Sequence, residues 1–351
     1  MSELLRSDIL EIVDRLGSLA DEFEGKTILL AGGRGFLGRY FCEVFAALNR
    51  TRFKRPSTLL VLDNLITAKD QGAMVDRDSN VRYLHQDITR PVILGIPIDF
   101  VIHAAGIASP AYYRAFPLET VDVAVAGNRN LLQLAVANGA RYTFFSSSEI
   151  YGNPDAANVP TQEDYRGNVA SMGPRACYDE SKRLGETLCW IYRQYNDLRV
   201  TIVRPFNVFG PGMPENDYRV LSNFASRIKR QQPLVVYGDG RQTRTFCYIT
   251  DAIVGFMNVI AKGQPGEAYN IGNPTPEVSM LDLVQTIKKI LGDKVQYTLS
   301  DYPNSYPADE PLRRCPDIGK AREHLGFEPS VPLEEGLRRF LAWADATYTA
   351  N

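Results

Sequence analysis

Histidine and tryptophan are scarce here, at three and two residues in a chain of 351, and no histidine stands near another. A metal centre built on imidazole is therefore not expected. Five cysteines, Cys42, Cys177, Cys189, Cys247 and Cys315, are odd in number, far apart and without metal-ligand spacing. They read as free thiols of a reducing, cytoplasmic setting and not as a disulfide framework. Charge of one sign is also lacking: 39 Lys and Arg stand against 41 Asp and Glu. That balance excludes the basic footprint of a nucleic-acid binder. No apolar run approaches the roughly 20 residues that span a bilayer, so no membrane partner is expected. The first 24 residues have neither the continuous apolar core nor the basic start of a secretory signal.

What those first residues do have is periodicity. Ile9, Ile12, Val13, Leu16, Leu19, Ala20 and Phe23 recur at helical spacing, with acidic residues assigned to the other face. This pattern predicts an amphipathic helix over 1–24, lying on its own domain or on a neighbouring subunit. A partner protein is the alternative cover for its apolar stripe.

From residue 25 to about 205, strand-like and helix-like segments alternate, which predicts a doubly wound α/β fold of the Rossmann type. Thr27–Ala31 is a continuous apolar run, as in a buried parallel strand. It leads into Gly32-Gly33-Arg34-Gly35-Phe36-Leu37-Gly38 and then into helix-forming sequence. Gly32, Gly35 and Gly38 have the spacing that lets a backbone turn tightly and approach a pyrophosphate at a helix N-terminus. A second strand, Thr58–Leu62, ends at Asp63 and Asn64. An acidic residue there accepts hydrogen bonds from the adenosine ribose and repels a 2′-phosphate, which favours NAD over NADP. Asp87, before Ile88, either contacts the adenine or caps a helix.

Further strands are predicted at Phe100–His103, running into Ala104-Ala105-Gly106, at Tyr142–Phe145, and at Leu198–Val203 before Arg204-Pro205-Phe206-Asn207. Ligands of open α/β sheets bind at these carboxyl ends. The Tyr142–Phe145 strand delivers Ser146 to Glu149 there. Tyr178 and Lys182 stand four apart, on one face of a helix. A lysine cation beside a phenol favours the phenolate, so Tyr178 is a candidate proton acceptor for oxidation of a sugar hydroxyl. After Asn207 the elements shorten. We expect 25–207 with 246–273 to form the cofactor domain, and 208–245 with 274–351 a smaller substrate-binding lobe.

These motifs resemble the extended short-chain dehydrogenases/reductases of the nucleotide-sugar epimerase/dehydratase type. The resemblance runs from about residue 25 to about residue 340. It rests on Gly32–Gly38, His103-Ala104-Ala105, Ser146–Gly152, Tyr178–Lys182, Arg204–Met213 and Tyr237–Gly240. It implies NAD held by Gly32, Gly35, Phe36, Leu37, Gly38, Asp63, Asn64, Asp87, Ile88, Ala104, Ala105, Tyr178, Lys182 and Pro205. Ser147-Ser148-Glu149-Ile150-Tyr151-Gly152, Gly173–Glu180, Gln242–Phe246 and Arg313–Asp317 narrow it to the UDP-glucuronate decarboxylase (UDP-xylose synthase) branch. Related 4,6-dehydratases carry an acid at the position of Ser148, and simple 4-epimerases generally lack a glutamate at that of Glu149.

The branch implies decarboxylation of a nucleotide-uronate, UDP-glucuronate to UDP-xylose, through a 4-keto intermediate. Ser147, Tyr178 and Lys182 would act at C4, with Ser148, Glu149 and Arg244 as the remaining catalytic set. Glu149 and Arg244 would lie around C5 and C6. Ser147 has a turn-capping alternative, and Arg244 a structural ion pair. Asn207, Arg219 and Arg314 would hold the diphosphate or ribose, Tyr113 would lie near the carboxylate, and Gln242 would join the substrate site. Tyr237 is either a core aromatic or a stacking surface for uracil. A homodimer is implied, through helices around 115–137 and 178–195. A 4-epimerase acting on a UDP-uronate is the enzymatic alternative, and a non-catalytic NAD(H)-binding scaffold the remote one.

Overall fold

Apolar runs bounded by turn residues form the strands. The computed structural model describes residues 2–68, 78–292, 295–302 and 311–350. One sheet holds β1 Thr27–Ala31, β2 Thr58–Asp63, β3 Val81–His85, β4 Phe100–His103, β5 Arg141–Phe145, β6 Val200–Pro205 and β7 Ala268–Ile271. Its order is β7-β6-β5-β4-β1-β2-β3, and every pair is parallel. Helices cover both faces, so the central strands are continuously apolar, with all four residues of β4 buried. Only β3, at an edge, leaves Arg82, Leu84 and His85 exposed beside one buried valine. Strand order reverses between β1 and β4, where a crevice opens at the carboxyl ends.

The principal helices are α1 Glu3–Leu16, α2 Phe36–Thr51, α3 Ala176–Asn196 and α4 Ile249–Lys262. Helix α4 is apolar on nearly every side because it lies between the sheet and later elements. Its Phe256 ring packs edge-on against Phe145 of β5 at 5.0 Å. After α4 the chain returns to the sheet as β7, in register Ala268 to Ile202 of β6. Residues outside the sheet make short pairings: Val208–Phe209 with Cys247–Tyr248, Leu234–Tyr237 with Tyr297–Ser300, and Thr243–Arg244 between Val278–Ser279 and Arg313–Arg314. All five cysteines are free thiols. Among the described residues, no helix is long and apolar enough to cross a membrane.

The N-terminal segment differs from the sequence expectation in two ways. Helix α1 stops at Leu16, and Gly17–Phe23 continues as 3-10 turns. Leu5, Ile9, Ile12, Leu16, Leu19, Ala20 and Phe23 are buried against this same chain. The acidic residues do not all face outward, however. Asp8 is 1% exposed and accepts hydrogen bonds from Tyr248 Oη at 2.9 Å and Tyr40 Oη at 3.2 Å, with Arg339 Nη1 at 3.5 Å. Glu11 accepts Thr250 Oγ1 at 2.7 Å and Arg339 Nη1 at 2.6 Å, and Arg15 pairs with Asp251 at 2.7 Å. Helical periodicity records only the apolar stripe. It does not show that phenols and a guanidinium wait beneath it.

Burial pushes the Asp8 carboxyl up to about 6, and Tyr248, Arg339 and Tyr40 only partly offset this. A carboxyl raised in the folded state contributes stability below its unfolded value, and loses it as pH rises through the folded one. Stability conferred by Asp8 therefore falls between about pH 4 and 6, by roughly 3 kcal/mol at most. Asp8→Asn does not titrate. Its melting temperature should gain on that of the parent chain as pH rises from 4 to 7, read by thermal denaturation at a series of pH values.

Candidate active site

The glycine loop is built by close approach. Gly32 has φ 86°, and a Cβ there would stand 2.6 Å from both the nitrogen and Cα of Ala105. A Cβ at Gly38 would lie 2.2 Å from the Gly32 carbonyl oxygen, so α2 can approach β1 only with glycine at that position. Gly35 is different. Its Cβ would meet only that same oxygen, at 3.4 Å, so the protein's own packing does not require glycine and the space is left for a ligand.

A cavity of about 220 Å³ opens beside this loop, lined by Gly32, Gly35, Asp63, Asn64, Asp87, Ile88, Ala104 and Ala105 among others. Asp63 Oδ2 accepts the Arg34 amide at 2.8 Å and Oδ1 the Leu65 amide at 2.9 Å, which fixes the carboxylate at the end of β2. Asp87 both lines the cavity and caps. Burial raises its carboxyl, but bonds from the Thr89 amide and hydroxyl and from Asn64 outweigh this and hold it low. Phe36, Leu37 and Gly38 form the first turn of α2, outside the cavity lining, where main-chain N–H groups of a helix lack internal partners. Pro205 ends β6 and is outside it as well. Glu119, Asp122 and Val123 line the cavity without any sequence motif to mark them. Val123 opens a π-helical turn, Val123–Gly127, and its carbonyl lies 3.1 Å from Nε2 of buried His103. Burial and nearby Lys182 push that imidazole down to about 3, so it is neutral.

Strand β5 delivers Ser146 to Glu149, and α3 delivers Tyr178 and Lys182. Ser147 Oγ accepts the Glu149 amide at 3.2 Å, so Ser147 does cap the Ser148–Tyr151 turn, and its side chain also lies against the Tyr178 phenol. The expected lysine–phenolate contact is not what the geometry shows. Lys182 Nζ donates to the Phe145 carbonyl at 2.7 Å and stands 5.9 Å from the centre of the Tyr178 ring. Burial pushes the phenol up to about 12, against the pull of Ser147, and pushes Lys182 down to about 8. The phenol is thus neutral at neutral pH. Lys182 also borders the cofactor loop: a Cβ at Gly106 would lie 3.1 Å from Nζ.

On the other side of Tyr178 lies a larger cavity, of about 760 Å³. It brings together Tyr113, Glu149, Tyr178, Asn207, Arg219, Tyr237, Gln242, Arg244 and Arg314. Ser147 and Ser148 are buried behind this wall and do not line it. Tyr113 stacks on Tyr178 with ring centres 5.5 Å apart. Asn207 takes φ 41°, a left-handed conformation that asparagine tolerates, and donates to the Thr245 carbonyl at 2.8 Å. Arg219 chelates Asp217, with Nε at 2.8 Å. Gln242 donates to the Tyr237 carbonyl at 3.1 Å, and Tyr237 stacks on Tyr302 at 5.6 Å. Arg244 is buried, with Nη1 2.8 Å from the Thr243 carbonyl.

Arg314 is engaged differently from the sequence expectation. It grips Glu149 with both terminal nitrogens, Nη2 standing 2.6 Å from Oε2, and Arg175 grips the same carboxylate. Burial alone would raise Glu149, but Arg175, Arg314 and Arg244 hold it well below the usual carboxylate range. Arg175, which lines the cavity and holds Glu149, is the site residue that sequence reasoning missed. Its signal was its place three residues before Tyr178 and four before Asp179, at the start of one helix.

The geometry is one cavity for a dinucleotide and a larger one for a second ligand, with Tyr178 lining the larger and Lys182 bordering the Gly106 loop of the smaller. Comparison with known proteins agrees. Residues 28–272 match the NAD dependent epimerase/dehydratase family. The chain is 38% identical over 317 residues to UDP-glucuronic acid decarboxylase 1 of Arabidopsis thaliana, covering 90% of this chain and 69% of that protein. It is 37% identical over 320 residues to UDP-glucuronic acid decarboxylase 1 of Xenopus tropicalis, covering 91% and 72%. Among solved structures, UDP-glucuronic acid 4-epimerase of Bacillus cereus, in complex with UDP-glucuronic acid and NAD, superposes with a TM-score of 0.76. That match has 25% identity and covers 92% of this chain and 100% of the other. This chain is a member of the NAD-dependent epimerase/dehydratase family.

Proposed function

We propose that the chain is an NAD-dependent decarboxylase of a nucleotide-uronate, converting UDP-glucuronate to UDP-xylose. One observation carries this reading beyond the family. Glu149 stands on the wall of the substrate cavity beside buried Arg244, while the neighbouring position holds Ser148, which is too weak an acid to expel a hydroxyl. The decarboxylases similar to this chain support the same reading. The larger cavity, about 760 Å³, is of the size that takes a nucleotide sugar. We assign residues 25–207 with 246–273 to cofactor binding and 208–245 with 274–351 to the substrate lobe. The pairing of β7 with β6 supports that division.

The cofactor cavity fits NAD: Gly35 leaves room for the pyrophosphate, and Asp63 presents a fixed carboxylate at the end of β2. Bound NAD supplies a hydride acceptor and donor for C4 and a positive charge that favours the Tyr178 phenolate. Tyr178 then takes the proton from the C4 hydroxyl while Ser147 holds that oxygen. Lys182, between the Phe145 carbonyl and the cofactor loop, would hold the dinucleotide's ribose. Once C4 is a ketone the sugar is a β-keto acid, and the C5–C6 bond breaks as the C4 oxygen accepts its electrons. Tyr178 and Ser147 stabilise that oxyanion. Arg244 orients the departing carboxylate through its planar fork. Asn207 and Arg219 meet the diphosphate and ribose, and Tyr237 offers the base a stacking face.

The chain acts as a homodimer in the cytoplasm. Leu184, Ile191 and Tyr195 share a face of α3 and are exposed, Tyr195 by 77%, and Leu118 on the neighbouring helix is exposed by 74%. An apolar strip of this kind calls for a cover.

Incubated with UDP-glucuronate and NAD, the protein should release carbon dioxide and yield a nucleotide pentose by mass spectrometry. An unchanged mass with inverted C4 would instead identify a 4-epimerase, as in the Bacillus cereus neighbour. Tyr178→Phe should lower kcat by roughly 10²–10⁴. If that variant keeps full function in cells, the chain is a scaffold. Light scattering should find twice the 39.2 kDa chain mass, and Ile191→Glu with Tyr195→Glu should halve it.

A further inference from the structure

Replacing a carboxylate by hydrogen consumes a proton: R–COO⁻ and H⁺ give R–H and CO₂. The proposed cycle does not supply that proton, because the one Tyr178 takes from the C4 hydroxyl returns there when C4 is reduced. A second acid must therefore serve C5. Glu149 faces the cavity, but two guanidiniums bind both its oxygens and keep it ionised. It can pass a proton but is a poor place to store one.

Asp179 lies behind it. It follows Tyr178 on α3, is 6% exposed and does not line the cavity. Its Oδ1 is buried without a hydrogen-bond partner among the described residues. Its Oδ2 stands 3.5 Å from Nε of Arg175, the same guanidinium whose Nη2 grips Glu149. The charged groups facing Asp179 are Glu149, Arg175 and Arg314. On its own helix, Lys182 is turned to the Phe145 carbonyl, and Arg183 to the carbonyls of Ile150 and Arg166. Two buried carboxyls sharing one guanidinium resist ionising together. Burial and the charge of Glu149 accordingly hold Asp179 well above the usual carboxylate range.

We propose that Asp179 stores the proton that replaces the carboxyl group at C5 and hands it on through Glu149. This rests on the decarboxylase reading. As the C5–C6 bond breaks, its electron pair enters a C4–C5 enolate and carbon dioxide leaves. Asp179 passes its stored proton to the Glu149 carboxylate, the enolate carbon takes that proton from Glu149, and a solvent proton then restores Asp179. One solvent proton is consumed per turnover. Asp179 is a positioning residue, since it acts through Glu149 and touches no substrate atom.

Single-turnover kinetics with UDP-glucuronate and NAD separate the steps, following carbon dioxide and NADH absorbance together. Asp179→Asn keeps the shape and an oxygen for Arg175 but removes the proton. Carbon dioxide release should stay within about threefold of the parent chain, while NADH return slows by roughly 10–10² and a 4-keto pentose escapes. Asp179→Glu should restore the return. Equal slowing of both steps, no slowing of either, or failure of the Glu variant to recover would overturn the proposal. Should the Asn variant not fold, the parent chain decides. Its NADH return should fall as pH rises through the Asp179 titration, which burial and Glu149 place above the usual carboxylate range, while carbon dioxide release does not; parallel loss of both steps sinks the idea. A parent chain that releases no carbon dioxide removes the decarboxylase reading itself, and with it any need for a proton at C5.

Discussion

Glu149, a carboxylate taken out of water between Arg175 and Arg314, is the contact on which the site depends. Such an ion pair stabilises only when its geometry is complete, and removing one partner typically costs about 3–5 kcal/mol because a buried charge is left alone. Here the geometry is complete, with both Glu149 oxygens bound. The three residues come from the turn after β5, the start of α3, and the Arg313–Arg314 strand, 26 and 165 positions away along the chain. The clamp therefore ties the sheet to the later residues and sets one wall of the substrate cavity.

Tyr178 lines the same cavity, with Tyr113 stacked on its ring. Lys182, one helical turn on, reaches past it to the Phe145 carbonyl and the cofactor loop. The Tyr178–Lys182 turn thus borders both cavities, Tyr178 lining the larger and Lys182 standing against the Gly106 loop of the smaller. This is what hydride transfer between a dinucleotide and a sugar requires, since both reactants must reach one point from opposite sides. Burial keeps the phenol protonated until a cation arrives.

The N-terminal helix works by the same physics. Asp8 and Glu11 tie Tyr40 of α2, Thr250 of α4 and Arg339 together under an apolar stripe. Glu149, Asp8 and Glu11 each sit where donors from distant segments converge, as a low-dielectric interior demands.

The sheet, the glycine loop, Asp63 and the Tyr178–Lys182 pair were legible in the sequence because each depends on local chemistry. Continuous apolar runs predict buried parallel strands, glycine predicts close approach, and a spacing of four predicts one helical face. Local chemistry does not reveal which charges will meet. Arg314 was assigned to the substrate's diphosphate or ribose and Arg175 to nothing, yet both close on Glu149. Asp8 was placed outside and lies inside. Lys182 was expected to lower the Tyr178 pKa and instead bonds a carbonyl. Sequence alone determined the fold and singled out the candidate reacting groups, since backbone geometry and side-chain chemistry are properties of short segments. Tertiary structure alone decided the pairing of buried charges, and with it the protonation states, because both depend on burial and on neighbours many residues away.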